Sequence, residues 1–186
     1  MLGSNKNGFT LIEILIVVAI IGLMIAVVIP NFSKLLPRRE RQVFLGKLNA
    51  LTRFAWHRAL VERKTQQVEF DFKKNIVLVS DVVRFKDNGP PETAPIKGAY
   101  LPTSLTIPSN IEIKNFIIEG FDEKARSASE KTISSYFFIV PDGLTQNVTI
   151  NFIDKKQKNV AGKPRQFGLV LNPFTAQFTV YDSFQK

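Results

Sequence analysis

Residues 8–29 read GFTLIEILIVVAIIGLMIAVVI, an apolar run of membrane length broken near its start by one carboxylate, Glu13. As a helix, residues 9–29 would reach about 31 Å, close to the ~30 Å thickness of a bilayer's hydrocarbon core. A carboxylate there costs roughly 2.5–3.5 kcal/mol on insertion scales, so Glu13 requires a partner. A removable secretory signal fits poorly, because such signals have a charged start, a short apolar core and a small-residue cleavage site. Here the leader Met1–Gly8 has Lys6 as its only basic side chain, and the apolar run continues into helix-forming sequence. This segment is expected to stay attached and to act first as a membrane anchor.

From charge placement alone, Glu13 could sit at headgroup level in an ordinary signal anchor. A polar leader ending in Gly8, then Phe9, then Glu13 as the fifth residue after the glycine resembles the cleavage and methylation signature of type IV prepilins and type II secretion pseudopilins. The resemblance implies that a prepilin peptidase cuts between Gly8 and Phe9 and methylates the Phe9 amine. It further implies that Glu13 recruits a neighbouring subunit through that amine. Pro30 also stands where such chains commonly carry a helix proline.

Orientation is contested by one signal. Lys34, Arg38, Arg39 and Arg41 follow the run, against Lys6 alone before it. The positive-inside rule would place the carboxyl side in the cytoplasm; the resemblance places it in the periplasm. The more specific motif is followed. The net charge of +9 is uneven: residues 1–65 hold 10 basic and 3 acidic side chains, residues 66–186 hold 15 and 13. The excess belongs to the helix beyond the membrane, whose expected partners are lipid headgroups and acidic faces of neighbouring subunits.

Pro30 and Pro37 are each expected to kink or interrupt the helix. Beyond them, Phe44, Leu48, Leu51, Ala55 and Ala59 recur at helical spacing and line one face, which should pack onto a sheet. Leu45, Phe54, Trp56 and Leu60 lie partly outside that stripe and widen it. From Thr65 the period changes to two. Val68, Phe70 and Phe72 alternate with Glu69 and Asp71, Lys73–Asn75 turns, and Ile76–Val83 returns. Residues 87–103, rich in proline and glycine, are expected to form a loop. Leu105–Ile107, Ile111–Ile118, Ile133–Val140, residues 148–152, Phe167–Leu171 and Gln177–Tyr181 read as strands. Phe121–Thr132 and Asp154–Arg165 read as loops, the first of them mobile. This order predicts an α+β fold: a long N-terminal helix, hydrophobic in its first half, packed on a C-terminal antiparallel β domain. The expected divisions are a leader at 1–8, a transmembrane and filament-core helix at 9–29, an amphipathic helix at 30–64 and a periplasmic β domain at 65–186.

The second half resembles the GspH/FimT group of minor pseudopilins and pilins. The cues are Phe138–Gly143 (FIVPDG) entering a hairpin, a closing strand pair across Asn172-Pro173, and the basic helix end Arg58–Lys64 running into Val68–Asp71. That resemblance implies a GspH-like subunit of a periplasmic pseudopilus that helps export folded proteins. A FimT-like minor pilin, serving pilus assembly or DNA uptake, is the alternative. Expected partners are prepilin peptidase, other major and minor pseudopilins, an inner-membrane assembly platform and membrane lipid. The location would be the inner membrane, single-pass, with the β domain periplasmic.

No enzyme constellation emerges, and no cofactor or metal is expected. The chain has one histidine, His57, and no cysteine, so zinc ligands are lacking. No phosphate-binding GxxxxGK[ST] loop occurs. Asp122-Glu123 lacks the acidic spacing of a calcium loop and reads as solvated. Lys155, Lys156, Lys158, Lys163 and Arg165 form a basic stretch. It reads as a solvated loop, with an anion-binding loop as the sharper alternative. No aromatic platform accompanies it and the domain is nearly neutral, so nucleic acid is not expected as a partner.

Overall fold

A computed structural model describes residues 10–86, 89–129, 134–159 and 161–186; the side chains of residues 27–38 and 127–129 lie outside that description. The chain divides into two compact units, Met1–Arg39 and Glu40–Lys186.

One helix, α1 (Leu11–Glu62), contributes to both units. It is continuous through Pro30 and Pro37, so neither proline interrupts it. A proline removes one donor and leaves the other i→i−4 bonds available on either side. The helix ends where Arg63 takes a left-handed φ of 53°, a C-terminal conformation that stops propagation.

In the second unit, ten strands and a short helix follow. Five strands form one antiparallel sheet: β1 (Gln66–Asp71), β2 (Ile76–Arg84), β3 (Glu92–Pro95), β4 (Ser104–Thr106) and β7 (Ser134–Ile139). Its order is β3-β2-β1-β7, with β4 also on β2. The second sheet runs β10-β9-β8-β5-β6, built from β5 (Ile111–Ile118), β6 (Phe121–Asp122), β8 (Val148–Lys158), β9 (Pro164–Asn172) and β10 (Gln177–Tyr181). The helix α2 (Glu123–Ser129) follows β6.

The period-two pattern explains the core. Val68, Phe70, Val77, Val79, Phe137 and Ile139 from the first sheet and Phe116, Ile150, Phe152, Phe167, Leu169 and Leu171 from the second are all buried. Phe70 meets Phe116 at 5.0 Å between ring centres, and Phe137 meets Phe178 at 6.4 Å, so the sheets share one core. The α1 stripe Phe44, Leu48, Leu51, Ala55 and Ala59 closes it, with every member buried as its spacing predicts. Phe44 packs edge-on to Phe152.

Three polar ties fix this helix on the sheets. The Asn49 side chain donates to the Phe178 carbonyl at 3.2 Å and accepts from the Phe178 N–H at 2.7 Å, occupying the open side of edge strand β10. Trp56 Nε1 donates to the Gly143 carbonyl at 2.7 Å. Arg58 grips Asp81 of β2 through two 3.0 Å bonds, and Gln66 adds a third at 2.8 Å.

The structure corrects several expected loops. Asp154–Arg165 is the end of a long hairpin, β8–β9, in which the turn begins after Lys158. The reason is Asp154, which is fully buried. Its Oδ1 accepts from Asn110 Nδ2 and from the backbone N–H groups of Lys156 and Gln157, supporting the register shift there. Phe121–Thr132 contains β6 and α2 in place of a loop. Glu119 and Gly120, at φ 49° and 88°, make the tight turn that pairs β6 with β5. Within 87–103, β3 pairs with β2. The turn after Ile139 does not open a hairpin: β7 and β8 belong to different sheets, and only an Ile139–Thr145 bridge follows the turn.

Candidate assembly site

The N-terminal part of α1 is apolar on every side. Leu11, Ile12, Ile14, Leu15, Ile16 and Val17 point in successive directions around the helix and all are exposed. A helix that is hydrophobic all round belongs in a membrane or in the interior of an assembly. No Cβ contact lies within 4 Å of Gly22, leaving that side open to another backbone. Among the described residues no helix is long and apolar enough to cross a membrane. The described side chains of the apolar run end at Ala26, and residues 10–26 reach about 25 Å as a helix, short of the ~30 Å core.

Gly8 and Phe9, the expected cleavage and methylation positions, lie outside the described residues. Glu13 is described and exposed, in the first turn of α1. Its backbone N–H donates to Thr10 Oγ1 at 3.3 Å and to the Thr10 carbonyl at 3.1 Å. Thr10 is therefore the N-cap and Glu13 the third helical residue, the spacing of a capping box. The carboxylate also opposes the positive end of the helix dipole. Thr10 was missed in the sequence, although T-x-x-E ahead of an apolar run is a legible start signal. Glu13 thus has a local task, starting the helix, that leaves its carboxylate facing outward.

The basic stretch is largely committed to ion pairs. Lys155 reaches Glu112 at 2.8 Å, Lys156 reaches Glu40 at 3.4 Å and Arg165 reaches Asp182 at 2.7 Å. Lys158 ends β8, where it pairs with Pro164, and Lys163 lies in the turn just before β9. This is a salt-bridged ribbon, not a convergent anion loop. Lys155 holds the Glu112 carboxyl below its ordinary range, against some burial. Asp122 serves as a structural acceptor: despite burial, bonds from Asn115 and the backbone N–H groups of Phe116, Ala125 and Lys124 hold its carboxyl low and start α2. His57 is exposed on α1.

Residues 3–29 match the prokaryotic N-terminal methylation motif. The chain is 52% identical over 47 residues to the type IV major pilin protein PilA of Myxococcus xanthus, covering 25% of this chain and 21% of that protein. It is 46% identical over 50 residues to the type IV wide pilus major component PilA4 of Thermus thermophilus, covering 27% of this chain and 38% of that protein. The matched stretches thus span about a fifth and under two fifths of those relatives. Two structures of the minor pseudopilin EpsH from the type II secretion system of Vibrio cholerae superpose with a TM-score of 0.51 at 9% identity. They cover 79% and 80% of this chain and 98% and 96% of EpsH.

The chain joins a prokaryotic N-terminal methylation motif to a fold like that of EpsH.

The matched motif spans the exposed apolar start of α1 and includes the Thr10–Glu13 cap.

Proposed function

We propose that this chain is a GspH-like minor pseudopilin of a type II secretion system. The observation that carries this reading is one chain joining an N-terminal methylation motif to the fold of EpsH along nearly all of EpsH's length. In this reading the chain is a structural subunit, not an enzyme. It is made as a precursor with leader 1–8, inserted in the inner membrane by 9–29, cut between Gly8 and Phe9, and methylated on Phe9. The Glu13 carboxylate, left facing outward by its backbone cap, meets the Phe9 amine of a neighbour. Residues 14–29 then pack against sibling helices, Gly22 allowing close approach, and 30–64 carries the periplasmic β domain (65–186). Prepilin peptidase, sibling pseudopilins, the assembly platform and lipid are the partners.

A second reading, a minor type IV pilin, is favoured by one observation: the two relatives, matched over 25% and 27% of this chain, are both pilus components. Deletion of the gene separates the two. Lost export of folded proteins with intact surface pili supports the secretion reading; intact export with lost pili, twitching or DNA uptake supports the pilus reading and refutes the first.

A further inference from the structure

We propose that the outer face of the first sheet is a docking groove for an arginine- or lysine-bearing segment of a protein partner. The groove has a volume of about 740 Å³, and its lining includes Gln67 and Glu69 of β1, Tyr136 and Phe138 of β7, and Glu123 and Arg126 of α2. Its floor follows from register. Gln67 stands opposite Phe138 and Glu69 opposite Tyr136, so two acceptor side chains alternate with two rings on the face turned away from the core. Phe85 extends the aromatic row, 5.3 Å from Phe138 between ring centres, and Tyr136 lies 5.4 Å from Phe138 on the other side.

Two carboxylates outnumber Arg126, the cation that also lines the groove, and the groove's acceptors and rings favour a cationic hydrogen-bond donor. Gln67 is 4% exposed and its Oε1 accepts no hydrogen bond, an orphan acceptor at the floor. Glu69 forms no ion pair among the described residues. Glu123 meets Arg126 only at 3.5 Å, a loose contact that leaves room for a second cation. Burial pushes the Tyr136 phenol up, Glu123 and Glu69 push it further, and Arg126 opposes them. Aromatic faces attract ammonium and guanidinium groups, worth about 0.5–2 kcal/mol, and carboxylates bind guanidinium in bidentate geometry. In a chain of net charge +9 this face is a local exception, and a basic partner is complementary to it.

The test uses the full-length chain in zwitterionic detergent, with tyrosine ring carbons labelled for NMR. Three tyrosines give three signals, and Tyr136→Phe assigns the one in the groove. Acetyl-Arg-Arg-amide is titrated at low and at high salt, with acetyl-Gln-Gln-amide as the neutral control. The expected result is a saturable, salt-sensitive shift at Tyr136 with none at Tyr100, caused by the arginine peptide alone. The double variant E69Q/E123Q should weaken that binding at least tenfold while keeping the wild-type melting temperature to within a few degrees. A Tyr136 signal unmoved by the arginine peptide overturns the proposal. So does a shift that the neutral peptide reproduces or the double variant retains. Should the double variant melt early, E69Q alone, at a half-buried position of the floor, carries the comparison.

Discussion

The Asp81 carboxylate shows how one residue sets the helix against the sheet. The hydrogen bond from Arg58 holds its pKa below the ordinary range; burial opposes this, and Gln66 adds to it. A carboxyl whose folded pKa is depressed contributes stability above its unfolded value near 4 and loses it as pH falls through the folded value. Asp81→Asn should therefore cost about 1–3 kcal/mol at pH 7. Urea unfolding should show the gap between variant and wild type narrowing as pH is lowered towards 3; a gap that widens would contradict the assignment. At the other end of α1, Glu13→Val keeps the Thr10 cap, because the capping bond uses the residue 13 backbone. Leader removal should proceed normally while incorporation into filaments drops sharply, read by immunoblot of sheared filaments against whole cells. Normal incorporation would show that the Glu13 carboxylate has no role in assembly.

Single elements differed in how legible they were. The α1 stripe was readable because helix periodicity and burial coincide at Phe44, Leu48, Leu51, Ala55 and Ala59. The β8–β9 hairpin was not, because Lys155, Lys156 and Lys158 look like solvent-facing loop while Asp154, fully buried, holds the strand's irregular end. Nothing local announces that a lone aspartate will find Asn110 across the sheet. The tight turn at Glu119-Gly120 was hidden similarly, since glutamate rarely takes a left-handed φ. Close approach also sets the C-terminal tail. Asn151 donates to the Gln185 carbonyl at 2.8 Å and accepts its N–H at 2.9 Å, holding the tail over Gly168. A Cβ at 168 would stand 2.8 Å from the Ser183 carbonyl and from Gln185 Cγ. Gly168→Ala should lift the tail and speed removal of residues 182–186 by carboxypeptidase several-fold, with the sheet core intact by circular dichroism. An unchanged digestion rate would show that the tail adapts in place.

Across the whole molecule, two halves follow two different rules. The first part of α1 spends its apolar surface outward on all sides, while the Glu40–Lys186 unit closes a core of its own. Fold class was readable from the change of period after Thr65. So was the exposed apolar rod, because residues 9–29 form an apolar run of membrane length. The division of strands between two sheets was not readable, since strands adjacent in sequence, β7 and β8, go to different sheets. The central claim is that this chain works only after trimming to a new amino terminus at its apolar rod. Intact mass and N-terminal fragmentation of the chain purified from its native membrane test this directly. The account predicts a mature protein that begins at Phe9 with a methylated amine; a chain that retains Met1, or begins anywhere else, contradicts it.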